Sequence, residues 1–236
     1  MDCLSHEVKI GVHTYEFRSI ILHGINMLHH ISLRVRDLAC ASTFLCALLC
    51  GGCAAAQAES LPKNIAGQIP AGYTVLSYKS GELNDDRLED FLVAIHKTDE
   101  KTIAEKTGKA PRRPLLLFIQ NADGTYALAK RNDHVIFAID EGGQCDPFED
   151  GYEGLEIKNH YFTIQNGVAC GSHWTDFITF RYDPKLRDWI FHKRVSEDWV
   201  MNNGRDPNGG MLVLGSRSVA SGKGKPPVPF EKYSAN

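Results

Sequence analysis

The chain has 236 residues, 43% of them hydrophobic and 23% charged, with a formal net charge of −3. Those proportions exclude collagen, a wholly disordered chain and a polytopic membrane protein. A balance so close to neutrality lacks the basic footprint of a duplex nucleic-acid binder, so no nucleic-acid partner is expected.

The first informative stretch begins at Met27. Arg34 and Arg36 form a positive region, Leu38 to Leu49 an apolar one, and Ala56-Gln57-Ala58 a small-residue cleavage site before Glu59. That order is the one a secretory signal peptide uses, over residues 27–58. Two alternatives stay open: an uncleaved anchor, since 38–56 is almost long enough to span a bilayer, and a lipoprotein modified at Cys53. Residues 1–26 then precede a signal peptide and read as an upstream extension, with Met27 the true start. Cleavage leaves 178 residues, 59–236, as one domain with no membrane span. The expected location is the periplasm or the exterior.

Five of the seven cysteines (Cys3, Cys40, Cys46, Cys50, Cys53) fall before Glu59, leaving Cys145 and Cys170. Two cysteines in an exported domain favour a disulfide over a metal pair or a nucleophile; two buried thiols are the alternative.

Within 59–236 the expected fold is mainly β, an antiparallel meander with hairpins and few short helices. FLVAI (91–95), LLLFI (115–119) and VIFAI (135–139) are apolar runs of buried-strand length. A short helix is expected within Lys97 to Gly108, with Gly108 as its C-cap. Trp174, Ile178, Phe180 and Tyr182 share one face of a strand, and Thr175, Thr179 and Arg181 the other. Asp183-Pro184-Lys185-Leu186 turns the chain. Beyond it, Trp189, Phe191 and Val195 alternate with Asp188, His192 and Arg194. Ser196-Glu197-Asp198 is expected to cap a short helix ending near Gly204. From Asn203 the chain carries six Gly and four Pro in 34 residues, which predicts a surface-hugging arm.

One local motif stands out. Glu82-x-Asn84-x-Asp86-Arg87-x-x-Asp90 runs straight into the strand FLVAI, and LLLFI ends in the turn Asn121-Ala122-Asp123-Gly124-Thr125-Tyr126. This pair resembles one degenerate FG-GAP repeat, the blade unit of integrin-type propellers and many bacterial exported β modules, over about 82–130. The resemblance implies a loop that holds calcium through Glu82, Asn84, Asp86 and Asp90. Oxygens at alternate positions of a tight loop suit a hard cation, whereas Arg87 stands where the family has its turn glycine. The competing reading is an acidic turn whose side chains cap their own backbone. One repeat cannot build a closed propeller, which needs at least about four blades.

No catalytic signature appears: no G-x-S-x-G, H-E-x-x-H, P-loop or dinucleotide fingerprint. The loop from Asp140 to Gly151 carries five carboxylates among glycines. A 145–170 disulfide would bring Ser172, His173 and Trp174 beside it. Asp146, Glu149, Asp150, Ser172, His173 and Trp174 therefore form a candidate contact patch for a sugar or peptide. The expected function is a non-enzymatic exported binding module for a protein or glycan ligand in the cell envelope. The alternatives are a secreted hydrolase using carboxylates of the 140–153 loop and a structural role in an envelope assembly.

Overall fold

The runs FLVAI and LLLFI lack polar alternation because their strands are covered on both faces. In the computed structural model, which describes residues 61–149, 154–171 and 173–235, they lie in β2 (Asp90–Lys97) and β3 (Arg113–Gln120). With β1 (Tyr73–Gly81) and β4 (Tyr126–Ile136) they form a four-stranded antiparallel sheet in the order β1-β2-β3-β4. Phe91, Val93, Ile95, Leu116 and Phe118 pack outward with Ile65 of the short helix α1 (Lys63–Ala66). Leu92, Ala94, Leu115 and Leu117 pack the other way into the central core. Removing such side chains from water is worth roughly 1.5–3 kcal/mol each.

The central core is completed by Leu155, Phe162, Ile164, Ile178 and Phe180 of a second sheet. Its strands β5 (Leu155–Lys158), β6 (Tyr161–Val168), β7 (His173–Asp183), β8 (Asp188–Met201) and β9 (Leu212–Ser221) run antiparallel in sequence order. The fold is thus mainly β, two open antiparallel meanders, and neither is a closed barrel or propeller. Helix α2 (Glu100–Thr107) links β2 to β3 and ends on Gly108, whose φ of 71° gives the left-handed C-cap expected there. Among the described residues no helix is long and apolar enough to cross a membrane. The signal peptide, residues 1–26, Cys53, Asp150 and Ser172 all lie outside the described residues.

Four sequence expectations are corrected. Of the run 135–139, only Val135 and Ile136 belong to a strand, the end of the 11-residue β4. The expected helix from Ser196 is instead the continuation of β8, held by pairing to β7 on one side and β9 on the other. The arm from Asn203 contains β9 and then enters the core: Phe230 is fully buried and meets Phe162 and Phe180 edge-on, and Tyr233 stacks on Phe191 at 4.6 Å.

The fourth correction bears on the site. The alternation expected for 189–195 breaks at a bulge, where Thr179 pairs with Lys193 but Phe180 pairs with Phe191. One extra residue flips every side chain beyond it. Val195 therefore stands opposite Phe177 on the outer face, and Arg194 stands opposite Ile178 on the inner one.

Candidate functional site

Strand alternation sends Trp174 and Asp176 inward with Ile178 and Phe180. The bulge in β8 sends Arg194, Ser196 and Asp198 to the same side, with Asp176 opposite Ser196 and Trp174 opposite Asp198. The inner face near the β7 start is therefore polar and aromatic rather than aliphatic. Phe137, just past β4, closes over it, its ring 5.8 Å from that of Trp174 and tilted by 42°. The result is a crevice of about 310 Å³ lined by Phe137, Trp174, Thr175, Asp176, Ser196, Glu197 and Asp198.

The acids in this crevice differ. Asp176 is buried; Arg194 donates to both its oxygens, Nε at 2.9 Å to each, and the Ser196 hydroxyl donates to Oδ2 at 2.7 Å. Burial alone would lower the Arg194 guanidinium pKa, but the Asp176 contacts raise it above its ordinary value. Glu197 pairs with Arg217 at 3.3 Å. Asp198 is exposed and accepts the Ser216 hydroxyl at 2.7 Å. The rim thus presents the exposed Asp198 carboxylate beside two aromatic rings.

The aromatic wall is fixed from behind. The Phe137 N–H donates to Oδ1 of buried Asn166 at 3.0 Å, and its carbonyl accepts from Nη1 of Arg113 at 3.3 Å. Arg113 is fully buried and bridges two carboxylates, Glu100 (Nη2 to Oε1, 2.7 Å) and Asp146 (Nη1 to Oδ1, 2.7 Å). Burial would raise the Asp146 carboxyl, but Arg113 and the N–H groups of Phe148 and Glu149 hold it below the usual range. Beside Asp146, Cys145 is joined to Cys170 with the Cα atoms 6.3 Å apart, tying the acidic loop to the β6–β7 turn.

The sequence-derived patch is therefore regrouped. Trp174 lines the crevice, whereas His173 pairs with Trp199 on the opposite face, its ring nitrogen 3.2 Å from the Gly171 carbonyl. Asp146 belongs to the buried ion cluster rather than to a surface, and Glu149 is exposed on the loop. Phe137, Asp176, Ser196 and Asp198 escaped the sequence reading. The signal for the last three was present as two same-face pairs, Trp174-x-Asp176 and Ser196-x-Asp198. Recognising it needed the bulge.

The 82–90 loop is bonded to itself and to its neighbours. Asn84 Oδ1 accepts the Asp86 N–H at 2.9 Å, and Asp86 Oδ1 accepts the Leu88 N–H at 2.8 Å. Glu82 accepts the Arg87 N–H at 2.9 Å and lies 3.4 Å from His160, which also reaches Asp85 at 3.0 Å. Arg87 takes a left-handed φ of 65°, a conformation that glycine adopts without steric cost. Asp90 is buried and accepts the N–H groups of Leu83 and Gln120, both at 3.0 Å. Burial outweighs those two hydrogen bonds and pushes its pKa up to about 6. Each group proposed for calcium is thus bonded within the loop or to its neighbours. Among the described residues no three His, Cys, Asp or Glu side chains are grouped to hold a metal. These donors form a clasp, which Trp189 completes by donating Nε1–H to the Leu83 carbonyl at 2.7 Å.

No family model matches the chain, and neither a curated protein nor a solved structure matches it.

Proposed function

We propose that the protein is an exported, non-enzymatic binding module that holds a glycan of the cell envelope in the Phe137–Trp174 crevice. The observation that supports this reading is the pairing of two fixed aromatic rings with the exposed carboxylate of Asp198. Sugars present apolar C–H faces, which rings cover, and hydroxyls, which carboxylates bind by charge-assisted hydrogen bonds. Few polar groups placed on a mostly prebuilt wall are what such sites require. A protein ligand is the other class of envelope partner this surface suits. Export, periplasmic or fully secreted, rests on the 27–58 pattern.

The hydrolase reading has less support. Asp140 accepts the Ala110 N–H at 2.8 Å, Glu141 accepts the Ala138 N–H at 2.7 Å, and Asp146 is committed to Arg113. Carboxylates so engaged are poor candidates for acid and base.

Tryptophan fluorescence tests the proposal, with N-acetylglucosamine oligomers and soluble envelope polysaccharide as titrants. A saturable change is expected that Trp174→Ala abolishes and Trp199→Phe retains. Equal binding by Trp174→Ala, or no saturable response to any saccharide, overturns it.

A further inference from the structure

A second concavity lies on the opposite side of the β8 bulge. The chain leaves the β8 edge after Gly222, whose N–H donates to the His192 carbonyl at 3.0 Å, and rejoins it where Val228 accepts the Phe191 N–H at 2.8 Å. Residues 222–227 therefore form a loop fixed at both ends. Gly222 is required at its foot: a Cβ there would lie 2.4 Å from the Phe191 carbonyl oxygen. Between this loop and the end of the β7–β8 hairpin is a cleft of about 360 Å³ with Ile190 and Pro227 among its apolar walls.

Its charged lining is one-sided. Arg181, Lys223 and Lys225 face a single carboxylate, Asp183, which already lies 3.5 Å from Arg181. Among the described residues neither lysine has a carboxylate within 4.0 Å. In a chain of net charge −3 this is a local excess of positive charge. His192 also lines the cleft, and burial first, then Arg181 and Lys193, hold its imidazole below the ordinary range.

We propose that this cleft binds a small organic oxyanion, a phosphate or carboxylate carried on an apolar body. Lys223 and Lys225 supply point charges on a short, glycine-punctuated loop, and Arg181 supplies a planar donor fork from the sheet. The buried Ile190 wall receives the apolar part of the ligand. An inorganic anion would use the cations alone, and a neutral aromatic the wall alone, so the cleft selects for both in one molecule. The ligand differs in charge from the glycan assigned to the acidic crevice, and the two sites share no lining residue.

The test is a titration of the ¹⁵N-labelled full chain at constant ionic strength with phenyl phosphate, benzoate, inorganic phosphate and benzyl alcohol. Saturable amide shifts are expected at Phe191, His192 and Gly222 to Lys225. One of the two aromatic anions should bind at least about tenfold more tightly than inorganic phosphate or benzyl alcohol. A preference for phenyl phosphate assigns the phosphate group, and one for benzoate the carboxylate; either supports the site. The double variant Lys223→Gln/Lys225→Gln should weaken binding at least about tenfold, while Lys101→Gln/Lys106→Gln, an equal charge change on α2, should not. Shifts spread evenly over the surface, equal binding of benzyl alcohol, or indifference to the loop substitutions overturns the proposal.

Discussion

The crevice beside Phe137 and the cleft under residues 222–227 are both built on β7 and β8, with volumes near 310 and 360 Å³, yet they are held open differently. The first is acidic and braced by buried side chains: Asn166 and Arg113 on the Phe137 backbone, and a disulfide behind the loop. The second is basic and braced by main-chain hydrogen bonds at the two feet of one loop. The bulge at His192 separates them, because it turns Ile190 and Arg194 to opposite faces of one strand. A single inserted residue thus lets one hairpin present two chemistries. Side-chain substitutions in the buried brace should damage the acidic crevice and spare the basic cleft.

The largest effect is expected from Arg113→Met. It leaves Glu100 and Asp146 buried without their cation, and removing one partner of such a cluster costs about 3–5 kcal/mol. Denaturant unfolding of the full chain measures it. The lost donor to the Phe137 carbonyl should also alter the Trp174 environment, while anion shifts at Gly222 to Lys225 persist in the folded fraction. A loss below about 1 kcal/mol would show that the cluster contributes little beyond what a well-packed apolar group supplies.

Opening the disulfide acts on the same end by another route. Cys145 and Cys170 close a loop with a sequence separation of 25, for which the chain-entropy account gives about 3 kcal/mol. Cys145→Ser/Cys170→Ser should lose stability on that scale and weaken the saccharide response more than the anion response. Equal weakening of both would mean the two sites are coupled through the shared hairpin and not separately braced.

How much of this was readable in advance depends on the range of the interaction. FLVAI and LLLFI announced buried central strands because burial on both faces removes polar alternation. Gly108 announced its helix end, since a left-handed C-cap is a one-residue property. The Cys145–Cys170 pair was the expected one because it is what remains if residues 1–58 are removed, with two buried thiols as the alternative. By contrast, Ser196-Glu197-Asp198 has local cap chemistry that pairing to β7 and β9 overrides, and β9 itself hides in a Gly-rich segment whose partner is the preceding strand. Arg113 carries no local signal in the sequence, yet it is fully buried and bridges two carboxylates at the acidic end. Its partners, Glu100 and Asp146, stand 13 and 33 residues away, beyond any local pattern. The crevice failed to appear for the same reason: it depends on a bulge, and a period-2 reading of 189–195 carries straight through it.

The smallest effect concerns Thr175, on the boundary of the acidic crevice. It is buried, and its Oγ1 is the one buried side-chain polar atom without a hydrogen-bond partner among the described residues. An unmet buried hydroxyl costs about 1–3 kcal/mol relative to a satisfied one, and an apolar isostere removes that cost. Thr175→Val keeps the β-branched shape, so stability should rise by about 1 kcal/mol, or roughly 2–4 °C in Tm for a domain of this size. Alternation turns this side chain away from Trp174, so the saccharide response should be unchanged even though Thr175 lies on the crevice boundary. A more stable variant that has lost the response would place the hydroxyl in contact with the ligand. A less stable one would show that the hydroxyl is satisfied in solution, and that Thr175 belongs with the side-chain braces of the acidic end.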